Sequence, residues 1–177
     1  MQHAHPHIAR LQGKLDRHHP AIAMASHNPL SAKLAAEAGF DAIWGRGFEL
    51  SAAYAVPDAS ILSADTHLEL MRAIGEVQDA PVIADLDTGY GNAVNVAHLV
   101  PRYAAAGAAA VTIEDKTFPK DSSLRPGGRQ VLVSIEEFRG KIEAARLPDG
   151  PLVVPRTEAL IAGLLAISAS TRASISC

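Results

Sequence analysis

Asp85 and Asp87 end an apolar run, PVIADLD over residues 81–87, and stand two positions apart. Alternate residues of a strand point the same way, so in a strand-ending context the two carboxylates share a face and can share a cation. Hard oxygen donors placed together suit Mg2+, which takes one or two carboxylates and completes its shell with waters and substrate oxygens. Glu114 ends a second apolar run, 109–114, and could join through a water. An Asp-x-Asp pair alone is a weak signal, because a carboxylate after a strand is as readily a helix N-cap or a solvated loop residue. From Glu114 to Leu124 the chain reads EDKTFPKDSSL, a polar loop long enough to close over a substrate and exclude water. The plain alternative is a surface connection stiffened by Pro119.

Elements must hold these groups together. Short apolar runs at 21–25, 42–44, 81–85, 109–114 and 152–154 alternate with segments of helical period at 30–38, 66–76, 93–106 and 135–145, and a weaker one starts at Glu158. Strands apolar on both sides, separated by helices, make a buried parallel sheet, so the fold class is α/β. Gly39 and Gly107 fall where helix C-caps belong. Ligands of such sheets bind at the carboxyl ends of the strands. Those ends carry His27 and Asn28, Trp44 to Phe48, Asp85 and Asp87, Glu114 to Lys116, and Arg156 with Glu158. Charged side chains at successive strand ends weaken the N-cap reading.

With 177 residues, 48% hydrophobic and 20% charged, the chain suits one soluble domain with a substantial core. A net charge of −3 without a Lys/Arg cluster argues against nucleic acid and for a small-molecule partner. The longest apolar stretch, 159–167, is far shorter than the roughly 20 residues of a membrane span, so no membrane role is expected. Cys177 is the single cysteine, which fits a reducing cytoplasm and makes a poor nucleophile. The start, 1–10, with His3, His5 and His7, reads as a solvated leader rather than a signal peptide. The expected organisation is a leader and helix over 1–20, the α/β domain over 21–164 and a divergent tail over 165–177.

Four segments together carry a resemblance: Trp44-Gly45 with Gly47-Phe48, the DLDTGYGN run from Asp85, EDKTFPK from Glu114 to Lys120, and Arg156 with EALIAG from Glu158. They resemble the phosphoenolpyruvate mutase branch of the phosphoenolpyruvate mutase and isocitrate lyase superfamily, over roughly residues 21–164. The resemblance implies a (β/α)8 barrel of TIM-barrel type, of which this chain carries about the first five β/α units. It implies Mg2+, with Mn2+ or Co2+ as substitutes, held by Asp85, with Asp58, Asp87 and Glu114 reaching it mostly through waters. By the same carry-over Trp44 and the amides of Gly47 and Phe48 hold the pyruvyl part of a phosphonate or 2-keto acid. Lys120 closes with the lid, Ser123 binds substrate, and Arg156 faces the phosphonyl group.

The implied chemistry is cleavage of the P–C bond of phosphonopyruvate, with the electrons accepted as an enolate that charge and amides stabilise. Capture of the phosphoryl group by water gives pyruvate and phosphate; recapture by the enolate oxygen gives phosphoenolpyruvate. Mutases of the branch carry asparagine at position 122 and its hydrolase a hydroxyl residue; Ser122 and the phrase FELSAAYAVPD over 48–58 both favour hydrolysis. The lyase branches use a lid cysteine, and this lid has none.

Two positions depart from the family pattern. Arg46 replaces a serine, and can either fork onto the substrate carboxylate or fill the pocket. Pro155, before Arg156, lacks the N–H an interior strand needs. The pattern fades after about Leu164, whereas a complete barrel takes about 250 residues. A shortened barrel with an unpaired edge is therefore expected, together with a histidine of the family's phosphonyl site being absent. That leaves either a working hydrolase, homo-oligomeric like its family, or an inactive fragment that binds only metal or a partner.

Overall fold

The computed structural model describes residues 6–15, 20–125 and 127–163. Five strands, β1 (Ala23–Ser26), β2 (Ala42–Gly45), β3 (Val82–Asp85), β4 (Ala108–Glu114) and β5 (Leu152–Arg156), form one sheet in the order of the chain. Every neighbouring pair is parallel. Helices make the crossovers: α2 (Pro29–Glu37) follows β1, α3 (Gly47–Ala53) and α4 (Ala64–Val77) follow β2, α5 (Ala93–Ala105) follows β3, and α6 (Ile135–Ala145) follows β4. Strand order never reverses, so there is no crevice of the doubly wound kind; the sheet advances in one direction, as in a barrel wall.

The strand residues sort onto two faces by parity. Ile43, Val82, Ala84 and Val111 join the main core under the crossover helices. Val96, Leu99, Val100 and Tyr103 of α5 recur at helical spacing and supply that core from the other side. Ala42, Ile83 and Ala110 face the opposite way, where Ile8 and Leu11 of α1 (Pro6–Leu15) cover them; Ala109, at the register shift between β3 and β4, breaks the parity and packs in the same cluster. Burying those two side chains stabilises the plug by about 1.5–3 kcal/mol each. The expectation of a solvated leader over 1–10 is thus corrected from Pro6 onward: the segment is a helix with an apolar face.

The five expected strands and the four expected helices up to residue 145 form, with ends shifted by at most two residues; the weaker helix expected from Glu158 does not. Gly39 and Gly107 take positive φ, 86° and 88°, one residue beyond the C-caps Ala38 and Ala106, as a helix stop requires. α3 is the element the residue pattern did not reveal. The segment from Glu158 makes turns through Gly163. His3, His5, Cys177 and the tail 165–177 lie outside the described residues. Pro155 is accommodated because β5 pairs only with β4 among the described residues, and an edge strand tolerates a missing donor.

Candidate active site

The plugged face runs out of apolar residues at the carboxyl ends of the strands. Two positions beyond Ala42 comes Trp44, two beyond Ile83 comes Asp85, and Glu114 and Arg156 are register partners at the ends of β4 and β5. α1 therefore seals one end of this face and polar groups occupy the other. The Trp44 Nε1–H donates to Asp85 Oδ2 at 3.3 Å, and Asp85 Oδ1 accepts the Asp87 amide at 3.1 Å. Arg156 spreads over three carboxylates: one NH donates to Asp85 Oδ2 at 3.2 Å, the other meets Glu114 Oε2, and Nε lies 3.1 Å from Glu158 Oε1.

Past β3 the chain turns sharply. Asp87 and Tyr90 adopt positive φ, 50° and 56°, as do Gly89 and Gly91 on either side of Tyr90. Such backbone is uncommon outside glycine and collects at functional sites. The turn lets the Asp87 carbonyl accept the Glu114 amide at 2.7 Å while its carboxylate faces Lys120, 2.5 Å away. Lys120 also lies 2.9 Å from Asp58. Burial by itself would lower the Lys120 pKa, but Asp87 and Asp58 more than offset it and the ammonium is held charged. Burial pushes Asp87 the other way, up to about 6 despite Lys120. Gly47 approaches the same carboxylate so closely that a Cβ there would sit 2.8 Å from Asp87 Oδ2.

Behind the strand ends, buried His67 of α4 lies 3.1 Å through Nε2 from the Gly45 carbonyl and 2.9 Å through Nδ1 from the Tyr103 hydroxyl. A carbonyl only accepts, so the neutral ring carries its proton on Nε2. Burial lowers the His67 pKa.

The cleft in front holds about 200 Å3. Arg46, Phe48, Asp58, Asp85, Asp87, Glu114, Lys120, Ser122, Ser123 and Arg156 all line it, so of the residues to which the resemblance gave a role Trp44 and Gly47 stand back, one contact away. Arg46 sits half-exposed at the rim, 3.6 Å from Glu49 and over the Phe48 ring at 5.9 Å; its bulk does not fill the cleft. Asn28 is absent from this lining, as is His27: Asn28 caps α2, the bland alternative for a polar strand-end residue. Lys116, Glu158, Leu124 and Ile161 line the cleft without having been assigned a role. The first two were legible by alternation, two positions after Glu114 and Arg156.

Five carboxylates, Asp58, Asp85, Asp87, Glu114 and Glu158, face four bases here, Arg46, Lys116, Lys120 and Arg156. Among the described residues no three ligands converge as a ready-made metal cluster. The donor set still fits Mg2+: it is all hard oxygen, it carries an excess of negative charge, and Mg2+ needs only one or two protein carboxylates.

Residues 12–174 match the phosphoenolpyruvate phosphomutase family. The chain belongs to that family. Within the phosphomutase family it is 63% identical over 157 residues to a phosphonopyruvate hydrolase of Variovorax sp. (strain Pal2), covering 87% of this chain and 54% of that one. It is 43% identical over 143 residues to a phosphoenolpyruvate phosphomutase of Tetrahymena pyriformis, covering 79% of this chain and 48% of that one. A crystal structure of a phosphonopyruvate hydrolase complexed with oxalate and Mg2+ superposes with a TM-score of 0.79 at 58% identity, over 89% of this chain and 54% of that one. The chain thus spans about half the length of the curated relatives it matches, and its five strands are the α/β fold of TIM-barrel type expected from the sequence.

Proposed function

We propose that this chain carries out Mg2+-dependent hydrolysis of the P–C bond of phosphonopyruvate, giving pyruvate and phosphate. The observation that carries the reading is the cleft itself, where the four strand-end carboxylates, Lys120, Arg156 and the lid serines face one space of about 200 Å3. The higher identity to the hydrolase, 63% against 43% for the mutase, supports water over the enolate as phosphoryl acceptor. Asp85 would hold the metal, with Asp58, Asp87 and Glu114 around it, and Mn2+ or Co2+ would substitute. When bound, Mg2+ supplies positive charge for the oxygen that becomes the enolate.

The chain's own groups supply the rest. Trp44 and the backbone at Gly47 and Phe48 orient the keto acid. Lys120, kept charged between Asp58 and Asp87, acts as an electrostatic stabiliser and not as a base. Arg156, released from its carboxylates by the incoming anion, pairs with the phosphonyl oxygens in the fork geometry a guanidinium favours. Ser122 at the cleft wall leaves room for the attacking water and orients it. As water bonds to phosphorus, the P–C electrons pass into the enolate, which then takes a proton at carbon to give pyruvate.

Release of pyruvate and phosphate from phosphonopyruvate, with and without Mg2+, tests this. Asp85→Ala should abolish it, and Ser122→Asn should slow it; equal rates in Ser122→Asn would remove the water-orienting role. Phosphoenolpyruvate as product would make the chain a mutase, and no turnover by folded protein would leave a binding-only fragment. A cytoplasmic setting and a homo-oligomeric state belong to the same reading; the lone cysteine supports the first, and the strand edges unpaired among the described residues support the second.

A further inference from the structure

Lys116 is a buried ammonium, 2% exposed, at the neck of the lid. The neck closes where Lys116 pairs antiparallel with Leu132, flanked by Thr117 N–H donating to the Val131 carbonyl at 3.0 Å and Val133 N–H to the Asp115 carbonyl at 2.8 Å. From there the Lys116 side chain reaches up into the lid, donating to the Asp121 carbonyl at 3.0 Å and to Ser123 Oγ at 2.5 Å. Ser123 must spend its own proton elsewhere, and donates to Glu158 Oε2 at 2.8 Å. Glu158 is 3.8 Å from Lys116 and touches Arg156 through its other oxygen. Asp115 fixes Glu158 from below, accepting its amide at 2.9 Å. Lys116, Ser123 and Glu158 satisfy one another here, so removing one leaves the others short of a partner in a largely buried place.

We infer that Lys116 is the positioning residue of the lid: with Ser123 and Glu158 it latches Asp121 to Ser123 over the cleft and ties that closed arrangement to Arg156. This deepens the hydrolase reading, since the latched segment contains Ser122, but the latch itself is a property of the chain alone.

The test is hydrogen exchange on the whole chain, read peptide by peptide, beside kcat and KM for phosphonopyruvate. Lys116→Met should raise exchange in the lid, residues 117–125, by about tenfold while β3 and β4 keep their protection. It should lower kcat about 100-fold with KM within about threefold, because misplacement and not binding is what is lost. Glu158→Gln, which keeps an acceptor for Ser123, should lie between. Should Lys116→Met loosen the whole sheet, Ser123→Ala removes only the hydroxyl link and should still raise lid exchange. Unchanged lid exchange in a folded Lys116→Met or Ser123→Ala protein overturns the latch. Exchange is read with or without turnover, so failure of the hydrolase reading and failure of the latch give different results.

Discussion

Lys120 shows how one side chain can decide the state of several others. It lies between Asp58 and Asp87, all three largely buried, so removing it strands two carboxylates in a desolvated site. Breaking a buried pair by deleting one partner costs about 3–5 kcal/mol, and we expect Lys120→Met to lose that much from the urea unfolding free energy at pH 7.5. Asp87 already titrates near 6, so at pH 5.5 it can take up a proton and the loss should shrink. A loss below about 1 kcal/mol at both pH values would show that the ammonium is not what holds those carboxylates. Gly47 is set by contact rather than charge. A methyl there would meet Asp87 Oδ2 at 2.8 Å, so Gly47→Ala should displace the carboxylate and destabilise by about 1–3 kcal/mol. An alanine variant with an unchanged urea midpoint would mean that the backbone yields instead. Asp85 and Glu114 were readable because strand ends and oxygen chemistry are local; Asp87 lies beyond the end of β3 and reaches the cleft through the positive-φ turn, not through the strand alternation the sequence suggested. That Arg156 would bridge Asp85, Glu114 and Glu158 was not readable, because it depends on how β5 is set against β3 and β4.

Elements place these residues, and here the sequence was informative to different degrees. The strands were plain because a sheet covered on both faces leaves continuous apolar runs, as in β3 and β4, where every residue is buried. α3 was hidden because only Gly47, Leu50 and Ser51 are buried, too few to show a period. A helix was expected somewhere in 1–20, but the start of α1 at Pro6 was not, because its apolar face is limited to Ile8 and Leu11 amid polar residues. His67 links three elements at once, α4 to Gly45 in β2 and Tyr103 in α5, and its burial lowers its pKa. The unfolded ring titrates near about 6.5, so below that pH the unfolded chain binds a proton that the folded chain refuses. The stability due to a neutral His67 is therefore complete above about 6.5 and is lost as pH falls toward the folded value. Urea midpoints between pH 7.5 and 5.5 should drop more steeply in the parent than in His67→Gln; parallel slopes would exclude His67 as the source.

The whole sheet presents a question its parts do not. Among the described residues β1 and β5 are each paired on one side only, and Val154 of β5 is 38% exposed. An open parallel edge offers unpaired amides and carbonyls to any other strand, and proteins usually blunt such edges with charge, proline or a covering segment. Pro155 removes one donor from this edge, but Val154 beside it leaves it apolar. A net charge of −3 spread over 177 residues gives little repulsion to keep copies apart. We therefore expect concentration-dependent association in sedimentation velocity, reduced by Val154→Lys, which adds a charge to β5; because position 154 shares a face with Arg156, this variant is read for association and not for turnover. Association that persists unchanged in the lysine variant would locate the contact elsewhere, with β1 as the next edge to test. A single monomeric species at every concentration would mean that Pro155 is sufficient protection for this edge and that the sheet holds together without a second copy.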